Sequence, residues 1–260
     1  MQAILRHLPA GARVLDLGCR DGSFPRTDYP GLRFTALDRE AGAAEVQADA
    51  AALPFQDAAF HAVIANHSLE HMEALDAVLS EMGRVLRPDG SIYVSVPDAS
   101  TFSDRLYRWI YHGGGHVNLF RNPAELTGRI TSATGLPLRA TRVLHASFLY
   151  LERRHFRPRP PRRMWLFANG DGRVILALSF LLRTVDRLAS TRLSVYGWAF
   201  WFGNLREPVD TLAWTNVCVH CGSGTPAELL PVRRRFLLRS YDCASCGASN
   251  LYTPDRPERT

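Results

Sequence analysis

Lysine is absent from this chain of 260 residues, and all 31 residues counted as Lys+Arg are arginine. A Walker A phosphate-binding loop needs a lysine amine after its glycines, so this sequence excludes that loop. Enzymes that form a Schiff base through a lysine, including those that use pyridoxal phosphate, are excluded for the same reason.

Long apolar runs and a secretory leader are also missing. The longest apolar run worth testing, Val174–Leu182, ends at Arg183 and is far shorter than the ~20 residues of a membrane-spanning helix. Met1–Ala10 lacks the charged start and apolar run of a signal peptide. We therefore expect a cytoplasmic protein, and peripheral contact with a membrane surface stays open.

Positive charge is concentrated in one segment. The formal net charge is +6, and six arginines without any acid lie between residues 153 and 163, so the rest of the chain sums to zero. Basic residues beside an apolar run suit contact with a membrane or an anionic lipid head group through residues 153–187. Two alternatives are contact with RNA phosphates and a helical cap with a solvated basic face.

The chain is organised around the stretch Val14–Gly22. Apolar residues flank Asp16 and lead into a turn bounded by Gly18 and Gly22. This pattern predicts the first strand of an α/β domain, followed by a loop whose backbone approaches a ligand closely. The two glycines lack the G-x-G-x-x-G spacing of a dinucleotide-binding fingerprint.

Four further motifs follow in order. Asp38 ends the second strand, Asp49 and Ala50 follow the third, Asn66–His71 follows the fourth, and Arg84–Gly90 leads into the fifth. With the first turn, these motifs resemble class I S-adenosylmethionine (SAM) methyltransferases, and Leu69-Glu70-His71 is similar to the signature of the type 11 subgroup. The resemblance implies an α/β fold with a Rossmann-like, mostly parallel sheet of seven strands.

The resemblance also implies roles in cofactor binding. Asp38, a short acceptor-only side chain, would face both ribose hydroxyls; a helix cap is its alternative role. Asp49 would meet the adenine amino group, and Asn66 and His67 would border the methyl site. The implied SAM-binding residues are Asp16, Gly18, Cys19, Gly22, Asp38, Arg39, Asp49, Ala50, Asn66 and His67. The sequence departs from the family pattern at two places, where Arg20 replaces the middle glycine of the first turn and His61 replaces an acid.

A helix, a fifth strand and a glycine-rich loop are predicted after the fourth strand. Periodic apolar residues predict a helix over Leu69–Val85, which Pro88 and Gly90 separate from a fifth strand, Ser91–Val96. A triple glycine, Gly113–Gly115, is a candidate lid. His116 is the first candidate for a general base and His112 the second, with a purely structural role as the alternative.

The region after residue 137 departs from the standard methyltransferase order. Strand six is expected at Leu138–His145, and the best candidate for strand seven, Val195–Phe202, comes about fifty residues later. The sequence therefore predicts a helical insertion at 146–194. We predict a methyltransferase domain at 1–205, a zinc ribbon at 206–250 and a flexible tail at 251–260.

The ribbon prediction rests on four of the five cysteines. Cys218 and Cys221 form one C-x-x-C pair and Cys243 and Cys246 another, and a glycine follows each pair directly. This spacing is typical of a four-cysteine zinc site, and a closed site of this kind is structural. Two disulfides are the rival, but they need an oxidising compartment. His220, inside the first pair, is expected to be exposed rather than a fifth ligand.

These observations predict a SAM-dependent methyltransferase that acts on a small-molecule, lipid-linked or sugar-linked acceptor, at oxygen. One alternative is an RNA methyltransferase that grips its substrate with the ribbon. Another is a non-catalytic SAM-binding scaffold that recruits a protein partner through the ribbon.

Overall fold

The computed structural model describes residues 1–20, 24–40, 42, 44–153, 161–211, 214–235 and 238–254. Gly22 and most of the arginine-rich segment lie outside these residues. The chain divides into two compact units. The first comprises Met1–Asp98, His116–Arg142 and Trp198–Thr211; the second comprises Ala99–Gly115, Val143–Gly197 and Leu212–Thr260.

A seven-stranded sheet has the order β3-β2-β1-β4-β5-β7-β6. Adjacent strands from β3 to β5 pair in parallel. The strands are β1 Arg13–Leu17, β2 Arg33–Asp38, β3 Val46–Gln47, β4 Phe60–Asn66, β5 Leu86–Pro97, β6 Leu138–His145 and β7 Val195–Gly203. The topology confirms the predicted fold class, because β7 inserts between β5 and β6 despite its late position in the chain.

The described residues contain five α-helices and several 3₁₀ turns, and all the helices except α1, which precedes β1, lie between strands. The helices are α1 Gln2–Leu5, α2 Leu75–Val85, α3 Phe102–Ile110, α4 Pro123–Thr134 and α5 Gly172–Ala189. The usual first helix after β1 is reduced to a 3₁₀ turn at Arg26–Asp28. Among the described residues, no helix combines the length and hydropathy required to cross a bilayer.

The central strands are buried on both faces. Val14, Leu15 and Leu17 of β1 are fully buried, as are Val63 and Ile64 of β4. Continuous apolar runs of this kind are expected in parallel strands that are covered on both sides. Because β1 pairs in parallel with β2 and β4, the carboxyl ends of these three strands meet at one edge of the sheet. The predicted cofactor residues of these strands lie at this edge.

Two predicted boundaries were wrong. Leu69–His71 forms a 3₁₀ turn rather than the first turn of a helix, and α2 begins only at Leu75. Strand β5 begins at Leu86 and continues through Pro88 and Gly90 instead of starting after them. Between the pairs Phe60↔Leu86 and Ala62↔Ser91, β4 advances two positions and β5 five, so an irregularity in the pairing accommodates the proline.

The second unit contains the predicted insertion, and the described part of that insertion is helical, as expected. Helix α5 carries a buried arginine, Arg183, which donates to the carbonyls of Ala146 and Val217 at 2.9 Å each. Asp186 on the same helix accepts from the backbone amides of Leu193 and Ser194 at 2.6 Å each. These bonds fix both ends of the insertion to α5.

Three short antiparallel strands form a second sheet of order β10-β9-β8. They are β8 Arg233–Arg235, β9 Leu238–Asp242 and β10 Ser249–Leu251. The expectation of a flexible tail from residue 251 was wrong for its first residues. Leu251 belongs to β10, and the side chain of Asn216 holds both backbone groups of Thr253 at 2.9 Å. The remaining domain boundaries stay predictions; in the structure, the insertion and ribbon belong to one unit together with α3.

The fold predicts opposite effects for two glycine-to-alanine substitutions in the first unit. Gly203 has φ +85°, and a Cβ there would lie 2.3 Å from the carbonyl oxygen of Gly90. We expect Gly203→Ala to lower the free energy of unfolding by about 2 kcal/mol or more, through backbone strain and overlap.

Gly128 is the matched control. It lies exposed in α4, and a Cβ there would meet nothing within 4 Å. Gly128→Ala should raise stability by about 1 kcal/mol, since alanine favours the helix. Urea denaturation measures both changes, and equal destabilisation by the two would contradict the structural explanation.

Candidate active site

The turn after β1 passes directly over the end of β2. The backbone amides of Gly18 and Cys19 both donate to the carbonyl of Leu37, at 2.8 and 3.2 Å. Gly18 has φ +72°, and a Cβ there would lie 2.5 Å from the Cβ of Ser68. Only glycine therefore lets this turn and the turn after β4 approach so closely.

Asp38 is the last residue of β2 and lies next to the turn after β1. Its Oδ2 accepts from the backbone amide of Arg20 at 2.8 Å, and its Oδ1 accepts from the amide of Glu40 at 3.0 Å. A carboxylate has about four acceptor positions, so these two bonds orient the group and leave capacity for a ligand diol. Arg20 adopts φ 45°, so it follows the left-handed path that suits glycine. Arg39 is exposed beside this carboxylate.

Asp16 lies in β1 just before the turn, and Cys19 is part of the turn. Asp16 is fully buried, and its Oδ2 accepts from the guanidinium of Arg26 at 2.8 Å. The sequence suggested that Asp16 contacts the cofactor; the structure shows it paired with Arg26. Burial, together with the nearby charges of Asp16 and Asp38, raises the pKa of the Cys19 thiol. That thiol consequently stays protonated at neutral pH.

The predicted adenine-side residues follow β3. Asp49 is exposed, and its Oδ1 accepts from the backbone amide of Ala51 at 2.9 Å. Its carboxylate therefore closes a local turn with one oxygen. Ala50 beside it is buried.

Asn66 and His67 end β4. The Oδ1 of Asn66 accepts from the hydroxyl of Ser95 at 2.7 Å, which ties the ends of β4 and β5 together. His67 has φ 54° and its amide donates to the carbonyl of Ser95 at 3.1 Å. Burial of the ring, together with the imidazoles of His116 and His71, lowers the pKa of His67 to about 4. The ring is therefore neutral at physiological pH.

The segment after the triple glycine is fixed onto the 3₁₀ turn. The backbone amides of Val117 and Asn118 both donate to the carbonyl of Glu70, at 2.8 and 3.0 Å. The side-chain amide of Asn118 donates to the carbonyls of Leu69 and Met72, at 2.9 and 2.6 Å. These four bonds determine where His116 lies.

Glu70, His71 and His116 form a cluster, which we call the Glu–His–His cluster. One ligand atom from each residue lies within 4.8 Å of the others, and the rings of His71 and His116 are 5.0 Å apart. Glu70 is buried, with 1% exposure. The sequence analysis named His116 but treated Glu70 and His71 only as part of a motif; the adjacent Glu-His pair was the signal that could have identified the cluster.

His112, the second candidate base, belongs to the second unit. It follows α3, is exposed and adopts φ 51°. Gly22, the remaining predicted cofactor residue, lies outside the described residues.

Four cysteine sulfurs converge in the second unit. Cys218 and Cys246 have their sulfurs 3.7 Å apart, and those of Cys221 and Cys243 are 3.6 Å apart. All four lie within 4.8 Å of one another, and none is in a disulfide. Gly222 and Gly247 adopt φ 75° and 71° after the two pairs, as the sequence predicted for turns around a metal.

His220 was wrongly expected to be exposed. Its Nδ1 lies 2.9 Å from Oε1 of the buried Glu152, and only 24% of its side chain is exposed. Sequence patterns could not reveal this pair, because the two residues are 68 positions apart.

Comparison with known proteins identifies the family. A family described as a methyltransferase domain matches residues 1–136, which is about half of the chain. The chain belongs to this methyltransferase family. The matched residues include β1 to β5 and the Glu–His–His cluster.

Two relatives and one solved structure illustrate the similarity. A malonyl-[acyl-carrier protein] O-methyltransferase from Methylococcus capsulatus is 33% identical over 135 residues, or 45% of this chain and 49% of that protein. A fatty-acid O-methyltransferase from Mycolicibacterium smegmatis is 35% identical over 96 residues, or 31% of this chain and 35% of that protein. The chain thus spans about half the length, or less, of these curated relatives.

The solved structure is the YcgJ protein from Bacillus subtilis. It superposes with a TM-score of 0.50 at 18% identity and covers 77% of this chain and 94% of that chain. At this identity the likeness concerns the fold alone.

Proposed function

We propose that this protein is a SAM-dependent methyltransferase that transfers a methyl group to a carboxylate oxygen of an acyl compound. Membership of the methyltransferase family supports the reaction class. The observation that carries the proposal is the carboxylate of Asp38, which backbone amides of two different turns orient at the ends of β1 and β2.

The chain's own residues fit the cofactor. Asp38 would bind the ribose hydroxyls, and Gly18 permits close approach of the backbone. The buried carboxylate of Asp16 is paired with the guanidinium of Arg26 at 2.8 Å. SAM, when bound, would supply the methyl group of its sulfonium. An acceptor oxygen would form the new O–CH₃ bond as the S–CH₃ bond breaks, and the electron pair of the broken bond would stay on the sulfur of the departing S-adenosylhomocysteine.

The acceptor is argued from the relatives' names. Malonyl and fatty-acid compounds share a carboxyl group, and both relatives are O-methyltransferases. A carboxyl group with a pKa near 4 is already ionised at neutral pH, so this acceptor needs no general base. On this proposal His116 positions the acceptor, and a role as base is reserved for a hydroxyl acceptor.

Titration with SAM tests the cofactor assignment. Asp38→Ala should weaken SAM binding by about 100-fold, because two hydrogen bonds to a charged acceptor are lost. Asp28→Ala, which removes an exposed carboxylate, is the control and should leave the affinity unchanged. Arg20→Gly should retain binding, since glycine accepts φ 45° without strain.

The same calorimetric measurement on the unsubstituted protein decides between functions. Absence of SAM binding by folded protein would reject the proposal and favour the scaffold alternative. With binding established, malonyl thioesters and free fatty acids are offered as acceptors, and mass spectrometry should detect their methyl esters. Methylation of RNA alone, with steep salt dependence, would favour the RNA alternative.

We also propose that the four-cysteine cluster binds structural zinc. Four sulfurs around a tetrahedral ion at Zn–S distances of about 2.3 Å are about 3.8 Å apart, close to the 3.6 and 3.7 Å observed here. The side-chain amide of Asn250 donates to the sulfur of Cys218 at 3.3 Å, as expected for support of a thiolate ligand. No position would remain for catalysis.

Metal analysis tests this assignment. After dialysis to remove weakly held metal, purified protein should contain one zinc per chain, and Cys221→Ser or Cys246→Ser should lose it, because a three-thiolate site binds zinc much more weakly. Hydrogen exchange over residues 214–254 should rise in parallel. Cys19→Ala changes the remaining cysteine and should keep the zinc; zinc retained by both ligand variants would contradict the site.

A third proposal concerns the outer face of α5. Val174, Leu181 and Leu188 are 39%, 57% and 80% exposed and share one side of the helix. Arg173 and Arg187 are exposed near its two ends, whereas Ile175 and Leu182 pack inward. We propose that this face binds the surface of an anionic lipid membrane, where apolar side chains enter the interface and arginines meet head groups.

Co-sedimentation with vesicles tests the membrane proposal. Vesicles that contain phosphatidylglycerol should retain the protein, and the double variant Leu181→Glu/Leu188→Glu should bind at least about tenfold more weakly because two apolar insertions are lost. Leu229→Glu changes a leucine that is 69% exposed elsewhere and should not matter. Equal binding by all three proteins would reject the α5 surface.

A further inference from the structure

We propose that the Glu–His–His cluster is a binding site for a divalent transition-metal ion, with Glu70, His71 and His116 as the ligands. One carboxylate oxygen and one nitrogen of each imidazole lie within 4.8 Å of one another. Small side-chain rotations would bring three such atoms to about 2.0–2.2 Å from a common ion.

Hydrogen bonds of the neighbouring residues Val117 and Asn118 position the segments that carry the three ligands. Four hydrogen bonds join Val117 and Asn118 to the carbonyls of Leu69, Glu70 and Met72. They fix the segment that carries His116 against the turn that carries Glu70 and His71. A site whose backbone is positioned in this way loses little conformational freedom when an ion binds.

The donor set selects the class of metal. Two imidazoles and one carboxylate suit Zn²⁺, Fe²⁺, Co²⁺ or Mn²⁺, whereas Mg²⁺ and Ca²⁺ prefer oxygen ligands alone. Glu70 is 1% exposed, so water would screen its attraction for a cation only weakly. Three protein ligands leave coordination positions open, which distinguishes this site from the closed four-cysteine cluster.

The position of the cluster assigns the ion a role in binding the acceptor, and this role rests on the proposed function. Glu70 lies in the turn that directly follows Asn66 and His67, which the family resemblance places beside the methyl group. The Nδ1 of His67 is 4.0 Å from Oε1 of Glu70. Open positions on the ion would bind the carboxylate oxygens of the acceptor and orient one of them toward the methyl group.

Visible absorption during a Co²⁺ titration of dialysed protein that carries one equivalent of Zn²⁺ tests the site. Zinc occupies the cysteines first, so bound Co²⁺ should show d–d bands without the thiolate charge-transfer bands of a cysteine site. We expect one Co²⁺ per chain. His71→Gln and His116→Gln should each weaken binding by at least about tenfold. His7→Gln changes a histidine outside the cluster and should have no effect.

Three results would overturn the proposal: no absorption from Co²⁺ in excess, thiolate bands alone, or binding that neither variant weakens. His71 is exposed, so its substitution should leave the fold intact, and circular dichroism checks this. SAM calorimetry on the same samples separates the two proposals. Co²⁺ binding without SAM binding would reject the methyltransferase proposal but keep the metal site. SAM binding without Co²⁺ binding would keep the methyltransferase proposal and reject the metal site.

Discussion

The close approach of the turns after β1 and β4 is the constraint on which the candidate site depends. Gly18 has no side chain, and any Cβ there would overlap Ser68. Because the turn can lie this low, its amides also reach the carbonyl of Leu37 at the end of β2. The missing side chain at Gly18 thus lets the turns after β1 and β4 pack together at the ends of the paired strands, and the turn after β1 supplies the amide of Arg20 to the carboxylate of Asp38.

In both units, arginine side chains bind buried acceptor groups and so stabilise the structure. In the first unit, Arg26 neutralises the buried carboxylate of Asp16. In the second, Arg183 joins two carbonyls from separate parts of the chain. A planar guanidinium with five donors can make several fixed hydrogen bonds, whereas an ammonium is a compact point charge. A chain without lysine therefore retains the side chain that suits buried, directional contacts.

The chemistry of the acceptor decides which role His116 can have in the reaction. A hydroxyl acceptor needs a base, and His116 would be the natural choice. A carboxylate acceptor is already ionised, so the same imidazole is available as a ligand or a positioning group. The structure favours this second use, because His116 lies beside His71 and the buried Glu70 rather than alone. The proposals for acceptor and metal therefore support one another but fail in different experiments.

Local patterns in the sequence determined most of the fold. Apolar runs and turn glycines predicted the strands and the helical insertion, because these depend on neighbouring residues. The cysteine cluster was predictable because each C-x-x-C pair is itself a local pattern. The tertiary structure alone decided the start of α2, the path of β5 through Pro88, the His220–Glu152 pair and the approach of His116 to Glu70 and His71. Each depends on contacts between residues far apart in the chain, and such contacts leave no local periodicity to read.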